Sequence, residues 1–177
     1  MIPSRRRVLG TWAALALTAG FPPAQAAARA PLPRAPALAL PDLAGHVHRI
    51  DDYAGRGLVL NFWATWCAPC RAEIPSLNRA SRALAGNDVA FLALDVGEAR
   101  EAVEAFTKDT PVAFPVLLDR EQAATRRWPV MGLPTTFIVD PGGRIALRVM
   151  GPRKWHTLAM LARIRALVSP GGSNARR

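Results

Sequence analysis

From residue 38 onward, apolar and polar positions fall into short blocks whose spacing switches between period two and period 3.6. Two brief alternating runs within residues 38–50 flank Pro41-Asp42-Leu43-Ala44-Gly45, which predicts an N-terminal β-hairpin. Leu58-Val59-Leu60-Asn61-Phe62-Trp63-Ala64 is almost continuously apolar, as a strand buried on both faces must be. From about Cys70 to Leu84 the pattern turns helical, with Ile74, Leu77, Ala80 and Leu84 on one face and Gly86-Asn87 as the stop. Residues 89–94 predict a second buried strand, 98–107 a helix, 114–118 a short strand and 121–128 a short helix. The runs 135–139 and 145–149 flank Asp140-Pro141-Gly142-Gly143, a hairpin turn signal, and 155–168 predicts a closing amphipathic helix. This order implies an α/β fold: a mixed central sheet flanked by helices, with an N-terminal hairpin and no internal repeat.

The two ends fall outside that pattern. Arg5-Arg6-Arg7 precedes an apolar stretch from Val8 to Phe21, and Ala24-Gln25-Ala26 supplies small residues at a cleavage position. Residues 1–26 therefore predict a secretory signal, shorter than the roughly 20 apolar residues that span a bilayer. Ser4-Arg5-Arg6-Arg7-Val8-Leu9 resembles a twin-arginine signal, with Val8 where that pattern favours Phe. An uncleaved anchor would leave the domain on the same side of the membrane. Residues 27–37, rich in Ala, Pro and Arg, predict a flexible tether; 38–168 form one folded domain; 169–177 predict a disordered tail. The expected location is the periplasm.

Length and charge narrow the classes. A chain of 177 residues, half of them hydrophobic, supports one domain with a substantial core. The formal charge is +10, and without residues 1–26 it is +7, from 20 basic and 13 acidic residues. The positive residues are dispersed and no basic run interleaves with aromatics, which argues against a nucleic-acid partner.

The candidate chemistry lies in Trp66-Cys67-Ala68-Pro69-Cys70, which holds both cysteines of the chain. A structural disulfide normally closes a long loop, because that constrains the unfolded chain most. A Cys-x-x-Cys pair in an exported protein thus points to catalysis. The motif follows a strand and opens a helix, so Cys67 lies where free backbone N–H groups and the helix dipole stabilise a thiolate. The thiolate is the attacking species in disulfide exchange. Cys70, one turn on and deeper, is placed to resolve the mixed disulfide. Pro69 is tolerated in the first turn and stiffens it. Pro75 should kink the helix, and Pro134 in Gly132-Leu133-Pro134-Thr135-Thr136-Phe137 suits a cis-proline, although either proline alone could be plain punctuation.

Together, Trp66-Cys67-Ala68-Pro69-Cys70, Pro75 and the Leu133-to-Phe137 segment resemble the thioredoxin superfamily. The leader, the hairpin and the insert between the second strand and Pro134 resemble its exported TlpA/ResA/CcmG branch, over roughly residues 36–168. The resemblance implies a loop at Leu133-Pro134 that packs against the cysteines and aligns a substrate peptide as an added strand. Trp66, Ala68 and Pro69 would complete the substrate-binding surface. Where thioredoxin has a buried aspartate this chain has Asn61, which cannot carry a proton. Glu73 matches the acidic residue of the ResA-type motif instead. Alone, Glu73 reads as a solvated helix residue; within the resemblance it becomes a proton partner for Cys70 with a raised pKa.

The resemblance further implies a membrane thiol-electron donor, an exported protein disulfide as substrate and apocytochrome c among the clients; the chain is expected to be a monomer without cofactor. Ala68-Pro69 lacks the His of strongly oxidising members, which favours a protein disulfide reductase over a periplasmic oxidase or isomerase. A copper-binding chaperone is the alternative of another class, but His46, His48 and His156 lack ligand spacing to the cysteines, so no metal site is expected. A peroxiredoxin would need a Pro and a Thr at offsets that Ala64-Thr65-Trp66 does not supply. Trp63, Trp66 and Phe137 read as core and rim.

Overall fold

The strand that precedes the cysteine motif, β3 (Gly57–Trp63), is buried along its whole length at the centre of a five-stranded sheet. The computed structural model describes residues 33–169, and the sheet order is β5-β4-β3-β6-β7. On one side β3 pairs in parallel with β4 (Val89–Val96), which pairs in parallel with β5 (Val116–Asp119). On the other side it pairs antiparallel with β6 (Thr135–Val139), which pairs antiparallel with β7 (Ile145–Met150). The central position is the physical reason for the unbroken apolar run: both faces of β3 must be covered.

Alternate residues of β3 feed different cores. Leu58, Leu60 and Phe62 pack with Leu92, Leu94, Leu117, Trp128 and Phe137. The N-terminal hairpin, β1 (Ala39–Pro41) and β2 (Val47–Arg49), contributes Leu40 to this side and forms its own two-stranded sheet. Val59 faces the other side, among Leu77, Ala80 and Leu84 of the α1 (Ala68–Ala83) segment and Leu161, Ile164 and Val168 of α4 (Leu158–Val168). Trp63 shares a third cluster with both cysteines, Ile74 and Val103 of α2 (Arg100–Asp109). A short α3 (Ala123–Arg127) precedes Trp128. Gly57 is required where α4 ends: a Cβ there would overlap the Val168 side chain.

The predicted elements appear in the predicted order, with shifted boundaries that bear on the site. Helix α1 begins at Ala68 rather than near Cys70, because Cys67 caps it. Helix α4 begins at Leu158 behind a Thr157 cap, which leaves Trp155 outside the helix. Helix α2 begins at Arg100, and β5 begins at Val116, after Pro115, which has no N–H for a strand ladder. The expected tether over 27–37 is corrected at its end. Ile145 N donates to Pro33 O at 2.8 Å and Ala35 N to Gly143 O at 2.9 Å, which pins residues 33–35 to the β6–β7 turn. The expected signal, the remainder of the tether and the tail beyond Ser169 lie outside the described residues. Among the described residues no helix is long and apolar enough to cross a membrane.

Candidate active site

β3 ends at Trp63, and a tight turn closed by Cys67 N donating to Ala64 O (3.2 Å) leads into α1. Cys67 occupies the N-cap with extended backbone (φ −81°, ψ 99°), and its Sγ accepts a hydrogen bond from Cys70 N at 3.3 Å. A sulfur thus fills the place an Asp or Ser usually takes at a helix start. The same N–H and the helix dipole stabilise negative charge on that sulfur once the pair is reduced. Pro69 sits at the second helical position, where a missing N–H breaks no intrahelical bond. Cys67 and Cys70 are joined by a disulfide with their Cα atoms 5.2 Å apart; both are buried, and Cys70 is the more enclosed. Helix α1 continues through Pro75.

Two large apolar side chains are exposed on this part of the chain. Trp66 is 66% exposed, and Met131, which the sequence pattern does not single out, is 77% exposed. Between Met131 and β6 lies the cis peptide Leu133–Pro134. Leu133 packs against the cluster that contains both cysteines. The loop is fastened at both ends: Thr135 Oγ1 donates to Gly132 O (2.6 Å) and Gly151 N to Pro134 O (2.9 Å).

Three residues after Cys70, α1 carries a buried carboxyl. Glu73, only 3% exposed, accepts from Asn61 Nδ2 (2.9 Å), Arg153 N (3.1 Å) and the Trp155 indole N–H (3.0 Å). Burial pushes its pKa above the ordinary carboxylate value, and the three donors and the nearby Arg153 charge offset only part of that rise. Asn61 also donates to Thr136 Oγ1 (2.9 Å), which fixes its amide between β3 and β6. The segment carrying Arg153 and Trp155 is tied to α1 by Trp155 N donating to Ser76 Oγ (2.6 Å), and Ser76 Oγ in turn meets His156 Nδ1 (2.9 Å).

A second acidic group holds the turn before Cys67. Glu98 accepts from Thr65 N through Oε2 and from Thr65 Oγ1 through Oε1, each at 2.6 Å. Glu98 N donates to Oδ1 of Asp95 at 3.2 Å. Asp95 is fully buried at the end of β4, and burial, with Glu98 and Asp119 adding to it, pushes its pKa up to about 8. The sequence pattern misses this pair; its one trace is an Asp at the end of an apolar strand run, Leu94-Asp95-Val96.

Among the described residues no group of three or more His, Cys, Asp or Glu is arranged to hold a metal ion. His46 and His48 face Asp42 on the hairpin, at 3.6 and 3.0 Å, and His156 faces Ser76.

The comparisons agree with this geometry. Residues 32–148 match the model of the AhpC/TSA family. The thiol-disulfide oxidoreductase ResA of Geobacillus kaustophilus is 40% identical over 117 residues, covering 66% of this chain and 67% of that protein. ResA of Bacillus subtilis is 36% identical over 137 residues, 77% of this chain and 75% of that protein. A solved structure from Chlorobium tepidum, carrying the name thiol:disulfide interchange protein DsbE, superposes with a TM-score of 0.72 at 29% identity. It covers 78% of this chain and 97% of that one. With a cysteine pair capping a helix beside a cis-proline loop, this chain belongs to the AhpC/TSA family as a thioredoxin-fold, ResA- and DsbE-like thiol-disulfide oxidoreductase.

Proposed function

We propose that this protein is a reductase for disulfides of exported proteins, working as a periplasmic monomer. Cys67 thiolate attacks one sulfur of the client disulfide, forming a mixed disulfide and releasing the first client thiolate, which takes up a proton. Cys70, deprotonated by Glu73, then attacks Cys67 Sγ and releases the second client thiolate. Two electrons have passed to the client, and the enzyme is left as its Cys67–Cys70 disulfide. A membrane thiol donor returns the electrons. Trp66, Ala68, Pro69, Leu133 and Pro134 receive the client peptide, with the loop at Leu133-Pro134 pairing with it as a strand. Haem-attachment cysteines of apocytochrome c are the client class that the family resemblance favours.

The observation that carries the reading is the placement of Cys67 Sγ at the start of α1, bonded to Cys70 N, with buried Glu73 one turn beyond Cys70. The leader Arg5-Arg6-Arg7 and the apolar run after it support export. Ala68-Pro69 puts no cation between the cysteines, which supports the reducing direction. The test is the reduction potential of the Cys67/Cys70 couple, equilibrated against glutathione and thioredoxin. A value near that of thioredoxin, about −270 mV, supports the reductase; a value near about −120 mV makes the protein an oxidase and overturns it.

A further inference from the structure

We propose that Asp95 is a second proton-carrying acid of this site and a positioning residue for Cys67: it keeps its proton against Glu98, whose carboxylate holds Thr65, and its ionisation loosens the turn that presents the nucleophile. The inference rests on the thiol-disulfide activity and is independent of the direction of electron flow.

Asp95 is fully buried, and its Oδ1 accepts from Glu98 N, while Oδ2 is buried with no donor. A carboxylate oxygen so placed would be a desolvated charge without compensation. Carrying a proton, Oδ2 is no longer an uncompensated charge, and the neighbouring Glu98 charge adds to the preference for that neutral form. Both oxygens of Glu98 are already committed to Thr65, two residues before Cys67, so the chain of contacts runs Asp95, Glu98, Thr65, Cys67.

The surroundings offer no relief to an ionised Asp95. Across β3 its register partner is Trp63, neutral, on the same face and itself with a buried unpaired indole N–H. Across β5 stand Leu118 in register and the Asp119 carboxylate, a like charge whose oxygens are taken by Ala124 N, Thr125 N and Thr125 Oγ1. The cations on adjoining helices are committed elsewhere. Arg71 reaches Thr65 O from α1, and Arg100 at the start of α2 binds Glu104 and the carbonyls of Leu43 and Asp42. Desolvation first, then the Glu98 contact and the two neighbouring charges, push the Asp95 pKa up to about 8. Above that, Asp95 gives its proton to water and faces Glu98 as a second negative charge. The two hydrogen bonds from Thr65 to Glu98 weaken, and the new charge opposes thiolate formation at Cys67.

The experiment follows the rate of Cys67 alkylation by iodoacetamide in the reduced full chain from pH 5 to 10. The wild-type profile should show two titrations: the thiol itself, and a second near pH 8 that lowers the thiolate's reactivity several-fold. In Asp95→Asn, where the amide keeps the shape of the neutral acid, the second titration should vanish. It should persist in Glu73→Gln, which separates the two buried acids. Carboxyl 13C shifts in the oxidised wild type, where neither thiol titrates, decide the matter should Asp95→Asn fail to fold. An Asp95 signal with its midpoint near 8 supports the proposal. A midpoint near the ordinary value of about 4 overturns it, as does a second inflection that survives in a folded Asp95→Asn protein.

Discussion

Asn61 and Glu73 lie twelve residues apart in the chain and 2.9 Å apart in the fold, with the amide of Asn61 donating to Oε1 of the carboxyl. Asn61 cannot exchange a proton, yet it decides how the residue that can do so is held. Pinned by its second bond to Thr136, it holds the Glu73 carboxyl against β3. The amide, the Trp155 indole and Arg153 N all donate, so each favours the ionised carboxyl against the burial that favours its neutral form. That opposition keeps proton loss within reach.

Replacing the proposed proton partner, Glu73, separates chemistry from structure. Glu73→Gln should slow disulfide exchange about 100-fold or more, in the range expected for loss of a general base. Stopped-flow reduction of a model protein disulfide against pH checks this: the Cys70 thiol should titrate at a different pH in the variant, and an unchanged profile would remove Glu73 from the mechanism.

Trp155→Phe removes one donor to Glu73 while keeping an aromatic ring in the core. The pKa of Glu73 should rise further, and stability should fall by roughly 1–3 kcal/mol for the lost bond to a buried charged group. Carboxyl titration by NMR and urea unfolding read the two effects separately.

The raised pKa of Asp95 also sets a pH dependence of stability. Its folded value of about 8 exceeds the unfolded 3.8, so the folded state holds more protons between them. That contribution is complete below about pH 4 and is lost as pH rises through 8. Unfolding free energies from urea titrations should therefore fall from pH 5 to pH 9, and in Asp95→Asn the fall should be smaller by on the order of 4 kcal/mol. Glu73, raised in the same direction, acts with the same sign.

The contact between Gly57 and Val168 admits a paired test. Gly57→Ala should destabilise by about 1–3 kcal/mol through overlap with the Val168 side chain. Val168→Ala in the same chain should recover much of the loss, a coupling that a double-mutant cycle in urea measures directly.

Trp66, next to Cys67, and Met131, two residues before the cis-proline loop at Leu133–Pro134, are large and exposed. Alanine at both should reduce the rate with a folded protein disulfide about tenfold or more, while the rate with a small-molecule disulfide changes little. Equal losses on both would assign them to the chemistry instead of docking.

What the sequence alone determined is local. Periodicity set the order of strands and helices, because a strand buried on both faces needs an unbroken apolar run and a helix needs one apolar stripe. The three-residue spacing of Cys67 and Cys70 after a strand put one sulfur on a helix start, since capping depends only on neighbours. Spacing along α1 also brought Glu73 near Cys70. The fold alone decided the environment of these groups. Glu73 owes its partners to Asn61 on β3 and to Arg153 and Trp155 some eighty residues on. Helical periodicity drew Trp155 into α4, whereas its N–H groups are used outside that helix on Ser76 and Glu73. The Asp95–Glu98–Thr65 connection joins the end of β4 to the turn after β3, neighbours only because the two strands pair in parallel. Proton affinity is set by desolvation and by donors that arrive from distant segments, and no period along the chain encodes either.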